Sequence, residues 1–504
     1  MKKNVLALSI ATMIGGLGFA GAASAQATDR LAVNDSGTGH ILINPYYNVQ
    51  NGNMSVFHVV NTDTSNGKAV KVRFRGASNS DDVLDFQVFM SPGDVWTAAI
   101  SKGADGRAQL TTNDNSCTLP AIAKGVQIPF VTDRLPAAMS DEDKANNTRE
   151  GYMEILTMAD IDGASTYTVD GNSGKKAPLF TASKHVGGVA PCDAAGVLTS
   201  TLSTGANTTG LKAPTGGLFG TWYIINVAQT TTYSASSYAV VANPAQDGDG
   251  LTRNVFSPQS ADPAAADQFS ADPLIKDNIV PGQKFDFPDL STPYFTTNSQ
   301  AAADSQAAAL TESLARGAVL NQYANDASIS AKTDWVFSMP TRRYNVAANY
   351  SVLPVGGVYP AAYRVFNAAV GNYFNAGNTR VNEKGQICIS SIGAVFRDRE
   401  ETAKTSGAVF SPGTLTNTPL CGEVSVLSFA DAGTSVLGAS VARSNVDGAY
   451  VNGWGQINFG GTGIPVLGAA FIKLSNPSAA PGMSGTYGIT WPHAYKSVTP
   501  VVTP

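Results

Sequence analysis

Between residues 44 and 100 apolar side chains recur at a spacing of two, and turn formers interrupt the run every six to nine residues. That rhythm is too short for helices and predicts packed antiparallel strands. Within 69–75, Val70, Val72 and Phe74 share one face, while Lys71, Arg73 and Arg75 share the other, the period of a half-buried strand. The segment 54–60 alternates less cleanly, with apolar residues on both faces, which predicts a more central position. Between them, 61–67 (NTDTSNG) is a run of residues that satisfy their own backbone or accept positive φ. A third strand is expected over 84–90. Ser91-Pro92-Gly93-Asp94 then has the chemistry of a type II turn, and 95–100 returns as a fourth strand. The four are read as a meander, with the basic face of KVRFR as a solvated edge.

The same punctuation continues. Segment 149–161 (REGYMEILTMADI) reads as a strand, and 221–227 (TWYIINV) as a buried one. Residues 163–209 read as a long surface loop. From 243 to 293 proline and aspartate crowd the chain (QDGDG, SPQSADP, FDFPDLSTP), which excludes regular structure there. One Ala-rich helix is expected within 299–323, where Ala303, Ala307, Leu310 and Leu314 form a stripe and Glu312 and Arg316 an i,i+4 pair. Strand patterning resumes in 334–339 (DWVFSM), with Trp335, Phe337 and Met339 on one face, and continues in 385–396, 424–429, 454–459 and 466–474. FSPGTL at 410–415 echoes the turn at 91–94. The expected fold class is mainly β: sandwich-like antiparallel packing in both halves, 26–230 and 331–504. A Pro/Asp-rich connection with one helix joins them over 231–330.

The first 25 residues have the form of a secretory signal. Lys2 and Lys3 precede an apolar stretch, and Ala23-Ser24-Ala25 is an A-x-A cleavage site. The stretch is short and Gly-rich for a membrane span, and no later run of ~20 apolar residues follows. The mature chain is expected to begin near Gln26, exported, without a transmembrane segment. Charged residues make up 14% of the chain, against an average near ~25%, as suits a surface of hydroxyls, amides and glycine. A net charge of -5 is a weak field that argues against nucleic acid as a partner. Four cysteines in an exported chain predict two disulfides, and loops closed within each half favour Cys117–Cys192 and Cys388–Cys421.

Motifs of catalysis are sparse. There is no G-x-S-x-G elbow, Gly482-Met483-Ser484-Gly485 coming nearest, and neither H-E-x-x-H nor a P-loop occurs. No catalytic, cofactor-binding or metal-ligating residues are assigned. His58 reads as a packed strand histidine and His493 as lying near an exposed end. Asp160/Asp162 and Asp247/Asp249 alternate as calcium ligands do, but lack the remainder of a twelve-residue loop, so turn chemistry explains them better and no cofactor is expected. The mixed run 397–401 (RDREE) reads as local surface pairing. Five tryptophans could offer stacking platforms, although buried strand aromatics are commoner.

The segments GHILINPYYNVQNGNMSVFHVVNTDTSNGKAVKVRFRGASNSDDVLDFQVFMSPGDVWTA, TREGYMEILTMADI, FDFPDLSTPYF, TDWVFSMPTRRYNV and TYGITWPHAYK resemble a group of proteobacterial secreted "cell surface proteins". The resemblance implies a non-enzymatic, surface-layer-like or filament role through self-association or contact with other surface components. An extracellular module that binds glycans or a surface partner is the alternative.

Overall fold

The computed structural model describes residues 31–192, 196–200, 210–242, 300–401, 419–429, 434–446 and 451–498. The chain is mainly β, with a few short helices. One eight-stranded sheet runs in the order 31–33, 238–242, 41–48, 150–161, 67–76, 82–90 and 117–119, with 211–212 added to the 150–161 strand. A seven-stranded sheet faces it, ordered 127–129, 108–111, 95–102, 54–61, 218–226 and 231–236, with 38–39 added to the 218–226 strand.

The meander expected over 44–100 is not formed. Gly67–Gly76 pairs with Asp82–Met90 in the first sheet, whereas Met54–Asn61 pairs with Val95–Lys102 in the second. Phe57 and Phe74 therefore meet across the core, ring centroids 5.7 Å apart. Alternation reports which face of a strand is apolar and not which neighbour it takes. The polar turns at 61–67 and 91–94 cross between the layers, and Gly93 has the positive φ (+70°) expected of its turn.

Burial in these strands also reverses the expectation. Met54–Asn61 alternates between buried and half-buried positions, while Gly67–Gly76 is buried at every residue. Lys71, Arg73 and Arg75 are consequently no solvated edge. The strands on either side place acids on their face: Asp85 and Glu154 both lie opposite Arg73. Lys71 Nζ stands 2.6 Å from Asp85 Oδ2, and Arg343 Nη2 reaches Glu154 Oε2 at 3.3 Å. A charge can be buried when an opposite charge is buried with it.

In the second half a five-stranded sheet (443–445, 424–428, 332–338, 467–480, 483–492) packs on a four-stranded one (393–398, 452–458, 318–324, 494–496). The strand Lys332–Ser338 is apolar on both faces. Trp335 and Phe337 enter a core with Val319, Tyr323 and Ile457, whereas Val336 joins the core of the first half. Phe471, opposite Asp334 on the adjacent strand, packs on Tyr46, Trp222 and Tyr233 at 6.2, 6.0 and 5.5 Å. The two halves keep separate sheets, and the second has a core of its own, but residues of both halves build the first-half core. Strands 231–236 and 238–242 belong to the first-half sheets, and 318–324 to the second.

The helix covers the whole expected stripe but stops at Leu314, short of residue 323. Gln300–Leu314 is helical, and Leu310 and Leu314 pack on Leu31, Ile41 and Leu156. Ala315–Arg316 and Ala318–Ala324 are strands. Val319 and Tyr323, four apart, suit either period, and the core between two sheets selects the strand. Arg316 accordingly leaves its helical pairing and lies over the Tyr495 ring, 5.1 Å from the centroid. Further short helices form at Asp141–Asn147, capped by Ser140, and at Pro178–Ser183, inside the segment expected as loop.

Both disulfides join the cysteines expected. Cys117 bonds Cys192, and Cys388 bonds Cys421 directly across a pair of adjacent strands. Among the described residues no helix is long and apolar enough to cross a membrane. The signal segment 1–25, the Asp247/Asp249 cluster and the 243–293 run lie outside the described residues.

Candidate functional site

Where the halves meet, the turn at 77–81 and the helix Asp141–Asn147 face the loops 350–363, 383–386 and 440–441 of the second half. They enclose a cleft of about 370 Å³. Tyrosines line one wall: Tyr359 lies on Tyr363 with centroids 4.4 Å apart, and Tyr350 stands 6.3 Å from Tyr363. Amides and charges line the other, among them Asn79, Asn146, Glu383, Lys384 and Gln386.

Hydrogen bonds hold this wall in place. Tyr350 Oη donates to Asp81 Oδ1 at 2.7 Å, and Tyr363 Oη to the Gly385 carbonyl at 2.8 Å. Asn79 donates to the same carbonyl at 2.9 Å and accepts from Ile387 N at 3.1 Å. Burial, and then the Asp81 charge, push the Tyr350 hydroxyl well above its usual range, so it remains a neutral donor. Behind the cleft Glu150 Oε1 accepts from Ser440 N at 2.8 Å, Gln50 Nε2 at 3.0 Å and Val441 N at 3.2 Å. Burial raises the Glu150 carboxyl despite those donors. Arg342 ties the second half's Glu423 at 2.7 Å and Ile387 O at 2.8 Å. The cleft floor is thus built from fixed groups. Stacking rings beside amides, two acids (Asp143 and Glu383) and one lysine (Lys384) can bind a polar ligand with flat apolar faces, as a saccharide has.

Two tips project from the body. His185-Val-Gly-Gly-Val189 and Val355-Gly-Gly-Val358 close as tight hairpins, with Gly187, Gly188, Gly356 and Gly357 all at positive φ. Paired positive φ is the geometry of a type I′ turn, which glycine accepts without strain. The four valines are 54–79% exposed, and Leu353 beside the second tip is 62% exposed. The first tip leaves the body near Ser91, contacted by His185, and the second near the cleft.

The residues singled out from sequence distribute differently. His58 lies on the outer face of its sheet, stacked on Tyr223. His493 is not at an exposed end: it is buried, with Nε2 donating to the Val336 carbonyl at 2.9 Å and Nδ1 facing the Asn321 amide at 2.9 Å. Burial lowers its pKa to about 3. His40 is lowered to about 4 by burial and by the Lys68 charge. Asp160 pairs with Lys68 at 2.9 Å and Asp162 with Lys212 at 2.8 Å. Among the described residues no three or more His, Cys, Asp or Glu side chains are grouped to hold a metal. Trp96, Trp222 and Trp335 are buried, while Trp454 and Trp491 reach the surface. Arg397 donates to the Glu401 carbonyl on the surface.

No family model, curated protein or solved structure matches this chain.

The cleft was missed from sequence because its walls are hundreds of residues apart, Asn79 meeting Gly385. The repeated V-G-G-V was a readable signal. Two glycines between valines in a polar context mark a tight hairpin with exposed apolar ends.

Proposed function

We propose that this chain is an exported cell-surface structural protein that works without turnover, presenting rigid β surface to copies of itself or to other surface components. The observation that carries this reading is the pair of V-G-G-V tips on a body whose first-half core is built by residues of both halves. Exposed valines on a rigid support offer apolar contact at little cost in ordering. The signal-like N-terminus and two disulfides suit an oxidising exterior. The test is sedimentation velocity and negative-stain microscopy of the purified mature chain beside a variant with Val186, Val189, Val355 and Val358 all changed to Ser. Concentration-dependent larger species are expected in the parent and reduced in the variant, with near-UV circular dichroism unchanged. A parent that stays monomeric at every concentration, or a hydrolytic activity abolished by one Asp, Glu or His substitution, overturns the reading.

The cleft favours a second reading, in which the surface partner is a glycan. Tyr359 is the stacking platform that such a ligand would use. Glycan-array binding that is weakened at least tenfold by Tyr359→Ala, and untouched by changes at the V-G-G-V tips, selects it over self-association.

A further inference from the structure

Two lysines of the strand Gly67–Gly76 meet aspartates with no exposure to solvent, and the two meetings differ. Lys68 Nζ donates to Asp160 Oδ1 at 2.9 Å and to the Thr215 carbonyl and hydroxyl at 3.0 and 3.1 Å. This is an ion pair with its protons accounted for. Lys71 Nζ lies closer to its aspartate, 2.6 Å from Asp85 Oδ2, with both side chains at 0% exposure. That contact nevertheless lacks hydrogen-bond geometry, and Lys71 Nζ has no hydrogen-bond acceptor. The two residues are diagonal neighbours on adjacent strands, Lys71 opposite Gln87 and Asp85 opposite Arg73. Their backbones are held in register by the ladder that pairs Lys68–Phe74 with Leu84–Met90.

We propose that Lys71 and Asp85 form a side-chain amide cross-link. A proton passes from the Lys71 ammonium to the Asp85 carboxylate, leaving a neutral amine and a neutral acid. The amine lone pair attacks Asp85 Cγ, the Nζ–Cγ bond forms, the C–OH bond breaks, and the hydroxyl leaves with an amine proton as water. Atoms and charge balance within the pair, and no oxidant or co-reactant enters. Geometry favours the step. The sheet holds nucleophile and carboxyl in contact, replacing a bimolecular encounter by a fixed one. The product is a neutral amide where two buried charges stood. Lys68 cannot follow the same course, because Thr215 and Asp160 occupy its donors in the geometry of an ordinary ion pair.

The experiment is a tryptic peptide map of the full mature chain after reduction of its disulfides. Cross-linking predicts that peptide 69–73, uncut at Lys71, is joined to peptide 76–102 and is lighter than their sum by one water. Cleavage after Lys68 proceeds normally and serves as the internal control. Lys71→Arg and Asp85→Ala each restore the full mass. Free peptides with cleavage after Lys71 in the parent overturn the proposal, as does a mass deficit that persists in both variants. The parent map decides the matter even where a variant fails to fold.

Discussion

The strand Gly67–Gly76 has two faces of opposite chemistry and equal burial. Val70, Val72 and Phe74 meet the facing sheet, and Phe74 packs among Tyr47, Phe57 and Phe130 at 5.3–5.8 Å. Lys71 and Arg75 meet acids of the adjacent strands, and Arg343 of the second half joins them at Glu154. The apolar face is held by area and tolerates near-isosteric change. The charged face is held by pairing, so each member depends on a partner at a fixed register. Burial by itself therefore says little about what a position tolerates.

The largest expected effect comes from leaving a buried charge alone. Arg342→Met removes the cation from Glu423 while keeping its length, and should cost about 3–5 kcal/mol, measured by denaturant unfolding. Adding Glu423→Leu should recover much of that loss. If the double variant is no more stable than the single one, pairing does not govern the buried Arg342–Glu423 contact.

His493 tests the intermediate case, a buried titratable group with no counter-charge. Its folded pKa of about 3 lies below the unfolded value near 6.5, so below pH 6.5 the unfolded chain binds a proton that the folded chain does not. Stability from this group is complete above pH 6.5 and is lost as the pH falls toward the folded value, by a few kcal/mol at ~1.4 kcal/mol per unit. Thermal unfolding of the parent beside His493→Gln between pH 7 and 4 isolates the contribution. The parent should lose its advantage over the variant on acidification, and parallel curves would refute the assignment.

The smallest effect belongs to the apolar face. Ile155→Val, on the neighbouring strand Glu150–Ile161 in the same core, should cost about 0.5–1.5 kcal/mol. A larger penalty would mean that packing there is as exacting as pairing is on the other side.

Local signals were legible in the sequence. The strand positions within 54–102 and 150–161, the start of the helix at 300–314 and both disulfide pairings follow from period, turn chemistry and compartment. Partner choice was not. Met54–Asn61 could join 67–76 or 95–102 on alternation alone, and the sheet that it chose depends on residues 218–226. The buried basic face had a signal that period-2 reading overlooks: Asp85 and Glu154 sit on strands whose registers place them beside Arg73. His493 looked terminal in sequence, yet the strand Met483–Pro492 carries it back under Trp335 and Phe337. The cleft had no local signature, since Asn79 and Asn146 come from the first half and the tyrosines from the second.

The shared core also sets a timetable. Trp222, Tyr46 and Tyr233 take their common neighbour, Phe471, from near the end of the chain. Synthesis runs from the N-terminus, so the first two sheets stand complete in residues but open on one side until the strand Leu467–Ala480 has emerged. Throughout that interval their aromatic floor faces water and any neighbouring chain. A truncation before residue 467 would therefore not release a tidy half-protein but a permanently unfinished one, prone to clump through the surface that Phe471 would have sealed.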